Sequence, residues 1–181
     1  MSSGPARFPE PASTADLRGL LLDYLDFFRG VVAAKLDGLS AAELTGSRVP
    51  SGWTPAGLVN HLVNVERRWL VWGFLAERVE DPWRDASDDG GWVTLGVPIA
   101  ELRSMLDEAA ARTREIVEAH QLTDVASVGG RFTDQASAPQ LQWILLHLLQ
   151  EYARHAGHLD IARELVDGLT GEEGPRAGAA P

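Results

Sequence analysis

Leu141-Gln-Trp-Ile-Leu-Leu-His147-Leu-Leu-Gln-Glu151-Tyr-Ala-Arg-His155-Ala-Gly-His158-Leu-Asp-Ile-Ala-Arg-Glu164 is the stretch whose reading decides the fold. Ile144, Leu148, Leu159 and Ala162 recur at helical spacing, so the segment reads as one long amphipathic helix. His147, Glu151, His155 and His158 are spaced by four, four and three residues and fall on the same side of it, within an arc of roughly 80° at 100° per residue. Metal-capable groups thus continue an apolar stripe. An ionised Glu among apolar neighbours is costly unless a cation or several hydrogen bonds compensate it, and a divalent metal would do so.

Working outward, the helix is expected over about residues 139–167, with Gly168 as its stop. A second helix opens at Thr54 with Pro55 in the first helical position, and Leu58, Leu62, Val65, Trp69, Trp72 and Leu75 carry its buried face to about residue 80. A further helix is expected over about residues 14–37, capped by Ser13 or Thr14 with Asp16 in the first turn and stopped by Gly38; its stripe is Leu17, Leu20, Leu21, Tyr24, Phe28, Val31 and Val32. Another is expected over about residues 98–119, along Ile99, Leu102, Leu106, Ala109, Ala110, Thr113 and Val117. Ser40-Ala-Ala-Glu43 is a capping box for a short extra turn. No comparable stretch alternates as a strand does. Four amphipathic helices imply an all-α four-helix bundle over residues 14–168, between flexible segments at 1–13 and 169–181, and the connectors are long enough to permit a crossover.

His61 lies three residues after Leu58 and four before Val65, on the buried face of the second helix. A pair on one helix and a single His on another is how bundles build internal metal sites, and three protein ligands leave positions open, as at catalytic centres. Spacing alone leaves other readings in place. A lone core His is more often hydrogen-bonded than metal-bound, and His147 could replace Glu151 or His155 as a ligand. His120 reads as a solvated residue near a helix C-terminus. Trp69, Trp72 and Trp143 read as core.

Composition narrows the chemistry. The chain has 181 residues, 45% hydrophobic and 23% charged, as a soluble globular domain does. Its net charge of −10 disfavours nucleic acid as a partner. No cysteine is present, which removes disulfides, thiolate zinc sites and a cysteine nucleophile, so any sulfur chemistry needs a thiol from outside. Lys35 stands alone against fifteen arginines, which with abundant Ala and Gly hints at a GC-rich coding sequence. Residues 1–13 lack the apolar run of a signal peptide and no stretch approaches a membrane span, so a cytoplasmic location is expected.

The Leu141–Glu164 stretch quoted above and Ser51-Gly-Trp-Thr-Pro-Ala-Gly-Leu-Val-Asn-His61-Leu-Val-Asn-Val-Glu-Arg-Arg-Trp69 together closely resemble the DinB superfamily, especially its branch near mycothiol-dependent maleylpyruvate isomerase. The resemblance implies a bundle with an up-down-down-up order and a homodimer. It implies one divalent metal, zinc or nickel, held by His61, Glu151 and His155, with His158 and His147 beside it as proton relays or positioning groups. It further implies a transferase that joins a low-molecular-weight thiol, mycothiol by preference, to an electrophilic small molecule. Arg154, Arg84 and Arg131 are then candidates for holding carboxylates of thiol or substrate. Two other functions fit the same site: a metal-dependent hydrolase that activates water, and a metal-binding, stress-related dimer without turnover.

Overall fold

The computed structural model describes residues 11, 16–88 and 90–170. The expected caps Ser13 and Thr14, and most of both terminal segments, lie outside them. Among the described residues the chain is helical and forms no strand, as an all-α bundle should. The elements are α1 (Leu17–Lys35), α2 (Ala41–Thr45), α3 (Pro55–Glu66), which runs on as a π-helical segment (Arg67–Phe74), α4 (Ile99–Ala119) and α5 (Leu141–Asp167). No helix among these residues is long and apolar enough to cross a membrane.

Local chemistry sets the ends. Asp16 is the N-cap of α1 rather than a first-turn residue; its carboxylate accepts from the Gly19 N–H at 2.7 Å. Ser40 and Glu43 form the reciprocal capping box of α2. Thr54 Oγ1 accepts from the Gly57 N–H, with Pro55 in the first helical position of α3. Gly168, at φ +75°, closes α5.

The core is built from Leu25, Leu58, Leu62, Leu102, Ile144, Leu145, Leu148 and Leu159, all essentially inaccessible. The buried face of α1 keeps Leu21, Val31 and Val32 of the expected stripe and adds Leu22 and Leu25, whereas Leu17 is exposed and Leu20, Tyr24 and Phe28 are half-buried. Arg29 is buried on the same face and reaches a carboxylate in the bundle's middle.

That carboxylate is Glu66, 2% exposed. Arg29 of α1 donates to both its oxygens, at 3.0 and 2.7 Å. Tyr152 of α5 donates at 2.5 Å, and Thr113 of α4 donates through its hydroxyl. All four long helices therefore meet on one side chain. Other contacts fix the register: Lys35 pairs with Asp160 at 2.5 Å, Arg163 donates to the Lys35 and Asp37 carbonyls at the end of α1, and Arg103 of α4 pairs with Asp37 at 2.5 Å.

The helix beginning at Pro55 does not reach residue 80 in regular form. At Arg67 it widens: the Leu75 N–H bonds the Leu70 carbonyl, five residues back. The Arg131 N–H takes the Trp72 carbonyl at 3.1 Å, and the Ser127 N–H takes that of Phe74 at 2.8 Å. Bonds from the distant 120–138 loop thus compete with the helix's own ladder.

Candidate metal centre

Three imidazole and carboxylate groups converge where α3 faces α5. One nitrogen of His61, one of His155 and one oxygen of Glu151 lie within 4.8 Å of one another. His155 Nε2 is 3.2 Å from Glu151 Oε2, and His61 Nε2 is 3.8 Å from the same oxygen. Ligands about 2.1 Å from a tetrahedral metal stand about 3.4 Å apart, close to the two separations from Glu151. Two imidazoles and a carboxylate are also a donor set that first-row divalent metals accept.

Two of the three candidate donors, His61 and His155, are held from behind. His61 Nδ1 is 3.0 Å from Asp85 Oδ2, which leaves Nε2 to face the centre. Asp85 is 2% exposed and also pairs with the buried Arg68. Burial opposes a charge on His61, but its bonds to Asp85 and Glu151 outweigh that and raise its pKa. Asp85 is likewise opposed by burial, yet His61 and Arg68 hold its pKa below the ordinary carboxylate range. Hydrogen bonds from His155, then His61, hold Glu151 far below that range, so it is a carboxylate. His155 Nδ1 lies 3.0 Å from His158 Nδ1. Trp92 stacks on His61 at 4.5 Å and meets His155 edge-on at 5.0 Å, walling one side of the site.

His147 occupies a different place. Its Nε2 approaches the other carboxylate oxygen, Glu151 Oε1, at 3.5 Å, and it does not join the converging trio. Burial, with Arg131 nearby, lowers its pKa; burial, with His155 and Arg154, lowers that of His158. Both favour neutral imidazole. Trp143, expected in the core, is instead half exposed and stacked on His147 at 5.6 Å; Trp69 flanks the same ring at 4.4 Å. His120 is partly covered, with its ring edge-on to Phe74 and 3.5 Å from Asp124.

The three arginines part company. Arg131 lies at the His147 end, over Trp69. Arg154 is exposed on α5. Arg84 donates to Asn64 and lines a cleft between α3 and α4 to which none of the converging trio contributes.

Asp85 and Trp92 were not legible. Both sit in the 81–98 connector, where no periodicity says which of several acids or indoles turns inward. The connector is pinned by the Val93 carbonyl to Asn60 and by Thr94 to Thr54. A Cβ on Gly57 would already touch the Trp92 carbonyl at 3.4 Å. A Gly inside a helix before a His was the available hint of close approach.

Residues 20–168 match the family described as Mycothiol-S-transferase. The chain belongs to the mycothiol S-transferase family. The family is part of the DinB-like superfamily, as the His61 and Glu151 segments foretold. The match runs from α1 to the C-cap of α5, so it takes in every residue of the centre. No curated protein matched the chain in a sequence comparison.

Proposed function

We propose that the protein is a metal-dependent mycothiol S-transferase whose ligands are His61, Glu151 and His155, with zinc as the ion and nickel as the alternative. The observation that carries this reading is the convergence of those three donors, backed by Asp85, in a chain of a thiol-using family with no cysteine of its own. A divalent ion bound there would lower the pKa of an incoming thiol and hold it as thiolate at neutral pH.

The chain's own groups do the rest. Glu151, kept ionised, offsets the ion's charge. Asp85 fixes the His61 tautomer so that Nε2 stays unprotonated and inward. Neutral His147, with Nε2 3.5 Å from Glu151, is placed to accept the thiol proton. Trp92 and Trp53, which approaches His158 at 5.8 Å, exclude water from one flank. In the transfer, the thiol sulfur forms a bond to the electrophilic carbon. The leaving group departs with its bonding pair, or, in an addition, the carbon's neighbour takes that pair and then a proton.

The test is conjugation of monochlorobimane by the zinc-loaded protein with mycothiol. Fluorescence gain that needs both metal and thiol supports the transferase. Thiol-independent ester or amide cleavage would replace it with a hydrolase. Bound metal with neither activity would leave a binding protein.

A further inference from the structure

Beside the centre, on the His147 side, stands a second set of groups that the ligand shell does not use. Arg131 lies with its guanidinium carbon 4.2 Å from the Trp69 ring centre and 5.5 Å from that of Trp83. Among the described residues no carboxylate or carbonyl accepts from its guanidinium, although the protein carries 26 acidic residues and a net charge of −10. Arg68, its cationic neighbour, is already committed to Asp85.

The position is built. A Cβ on Gly130 would sit 2.0 Å from the Trp72 carbonyl, so only glycine lets the loop approach the π-helical segment closely enough to deliver Arg131. Gly73 in that segment leaves room for the Arg131 and Phe132 side chains, whose nearest atoms lie 3.7 and 3.4 Å from where its Cβ would be. Two half-exposed indoles stand around it: Trp83, 51% exposed with the Arg68 guanidinium 4.7 Å from its ring centre, and Trp143, 50% exposed. Large aromatic faces left in water next to a reactive centre mark a binding surface. His147, stacked flat on Trp143, connects this platform to Glu151.

We infer that Trp69, Trp83, Trp143 and Arg131 form the acceptor subsite, and that the electrophile is a planar, conjugated molecule bearing a carboxylate. The ring stacks on the exposed indoles and the carboxylate takes the free guanidinium. Its electrophilic carbon is then directed toward the His147–Glu151 side of the centre. The inference rests on the transferase reading for the reaction, though not for binding.

The experiment uses the zinc-loaded full chain with mycothiol and two acceptors, 4-chloro-3-nitrobenzoate and its methyl ester. In each, the thiolate sulfur bonds the ring carbon, chloride leaves with the C–Cl pair, and the thiol proton passes to the protein or solvent. Each kcat/KM is divided by the uncatalysed mycothiol rate, because the ester is intrinsically the more electrophilic. The normalised ratio of acid to ester should be about tenfold or more in the native protein and fall to about one in Arg131→Met, which keeps an aliphatic arm on Trp69. Trp143→Ala should lower both acceptors together. Binding is read separately by tryptophan fluorescence with unreactive 2-naphthoate and 2-naphthalenemethanol; the acid should bind more tightly, and Arg131→Met should erase the difference. A ratio near one in the native protein, or one that survives Arg131→Met, overturns the subsite even if monochlorobimane is conjugated. Arg131-dependent naphthoate binding without any thiol conjugation would sink the transferase reading and uphold the subsite.

Discussion

His61 and His155 each have a partner behind the face they present, Asp85 and His158, while Glu151 is held by the two imidazoles themselves. His61→Ala, Glu151→Ala and His155→Ala should each lose most bound metal, whereas His147→Ala and His158→Ala should keep it. Elemental analysis after zinc loading decides. Metal lost on His147→Ala but retained on His155→Ala would move the centre one turn along α5. Asp85→Asn should weaken metal binding by about 10–100-fold, as the removal of a carboxylate behind a ligating His commonly does, measurable by chelator competition. In metal-free protein Asp85 and His61 pull stability in opposite directions with pH. The Asp85 pKa is lowered on folding, so its contribution is complete above the ordinary carboxylate value near 4 and is lost as pH falls through the folded value. The His61 pKa is raised, so its contribution is complete below the ordinary value near 6.5 and is lost as pH rises through the folded one. Asp85→Asn should therefore flatten the acid side of a melting-temperature profile.

At the scale of elements, α5 was legible nearly to the residue because its 3.6-residue stripe, its Gly stop and its row of histidines all agree. The π-helical end of α3 was not. Trp69 and Trp72 continue an α-helical stripe, and what widens the helix is the Arg131 and Ser127 N–H groups arriving from a loop about sixty residues away. The burial of Arg29 on α1 escaped for a similar reason: it reads as surface until its distant partner is known. Gly130→Ala tests the loop junction. Its Cβ would fall 2.0 Å from backbone that cannot swing aside, so the protein should lose about 1–3 kcal/mol in a denaturant titration, the usual range for overpacking. Gly90→Ala, equally a glycine but with nothing within 4 Å of its Cβ, carries only the strain of its φ of +83° and should lose less.

Over the whole molecule, the bundle was legible from amphipathic helices, but the charge at its centre was not. Glu66 follows Val65 in the stripe as an ordinary helical Glu would. Arg29→Met strands that carboxylate and should cost about 3–5 kcal/mol, whereas Tyr152→Phe removes one hydrogen bond of four and should cost about 1–3 kcal/mol. Equal losses in a denaturant titration would mean that the ion pair is not the centre of the network. Zinc should raise the melting temperature of native protein, and less so as pH falls and the histidines protonate. An unchanged melting curve at neutral pH would remove the metal centre.

The meeting of four helices on Glu66 also bears on how the protein breathes. Undocking α1, α4 or α5 withdraws a donor from a carboxylate only 2% exposed, and undocking α3 withdraws the carboxylate itself. Partly opened forms are therefore penalised together, and the cheapest route to exposing the middle of one helix is to open them all. Backbone amides flanking Arg29, Glu66, Thr113 and Tyr152 should exchange with deuterium at one shared rate set by global unfolding, while those of the 81–98 connector exchange earlier. In Glu66→Gln, whose side chain can no longer hold the guanidinium as an ion pair, that shared rate should split into several, helix by helix.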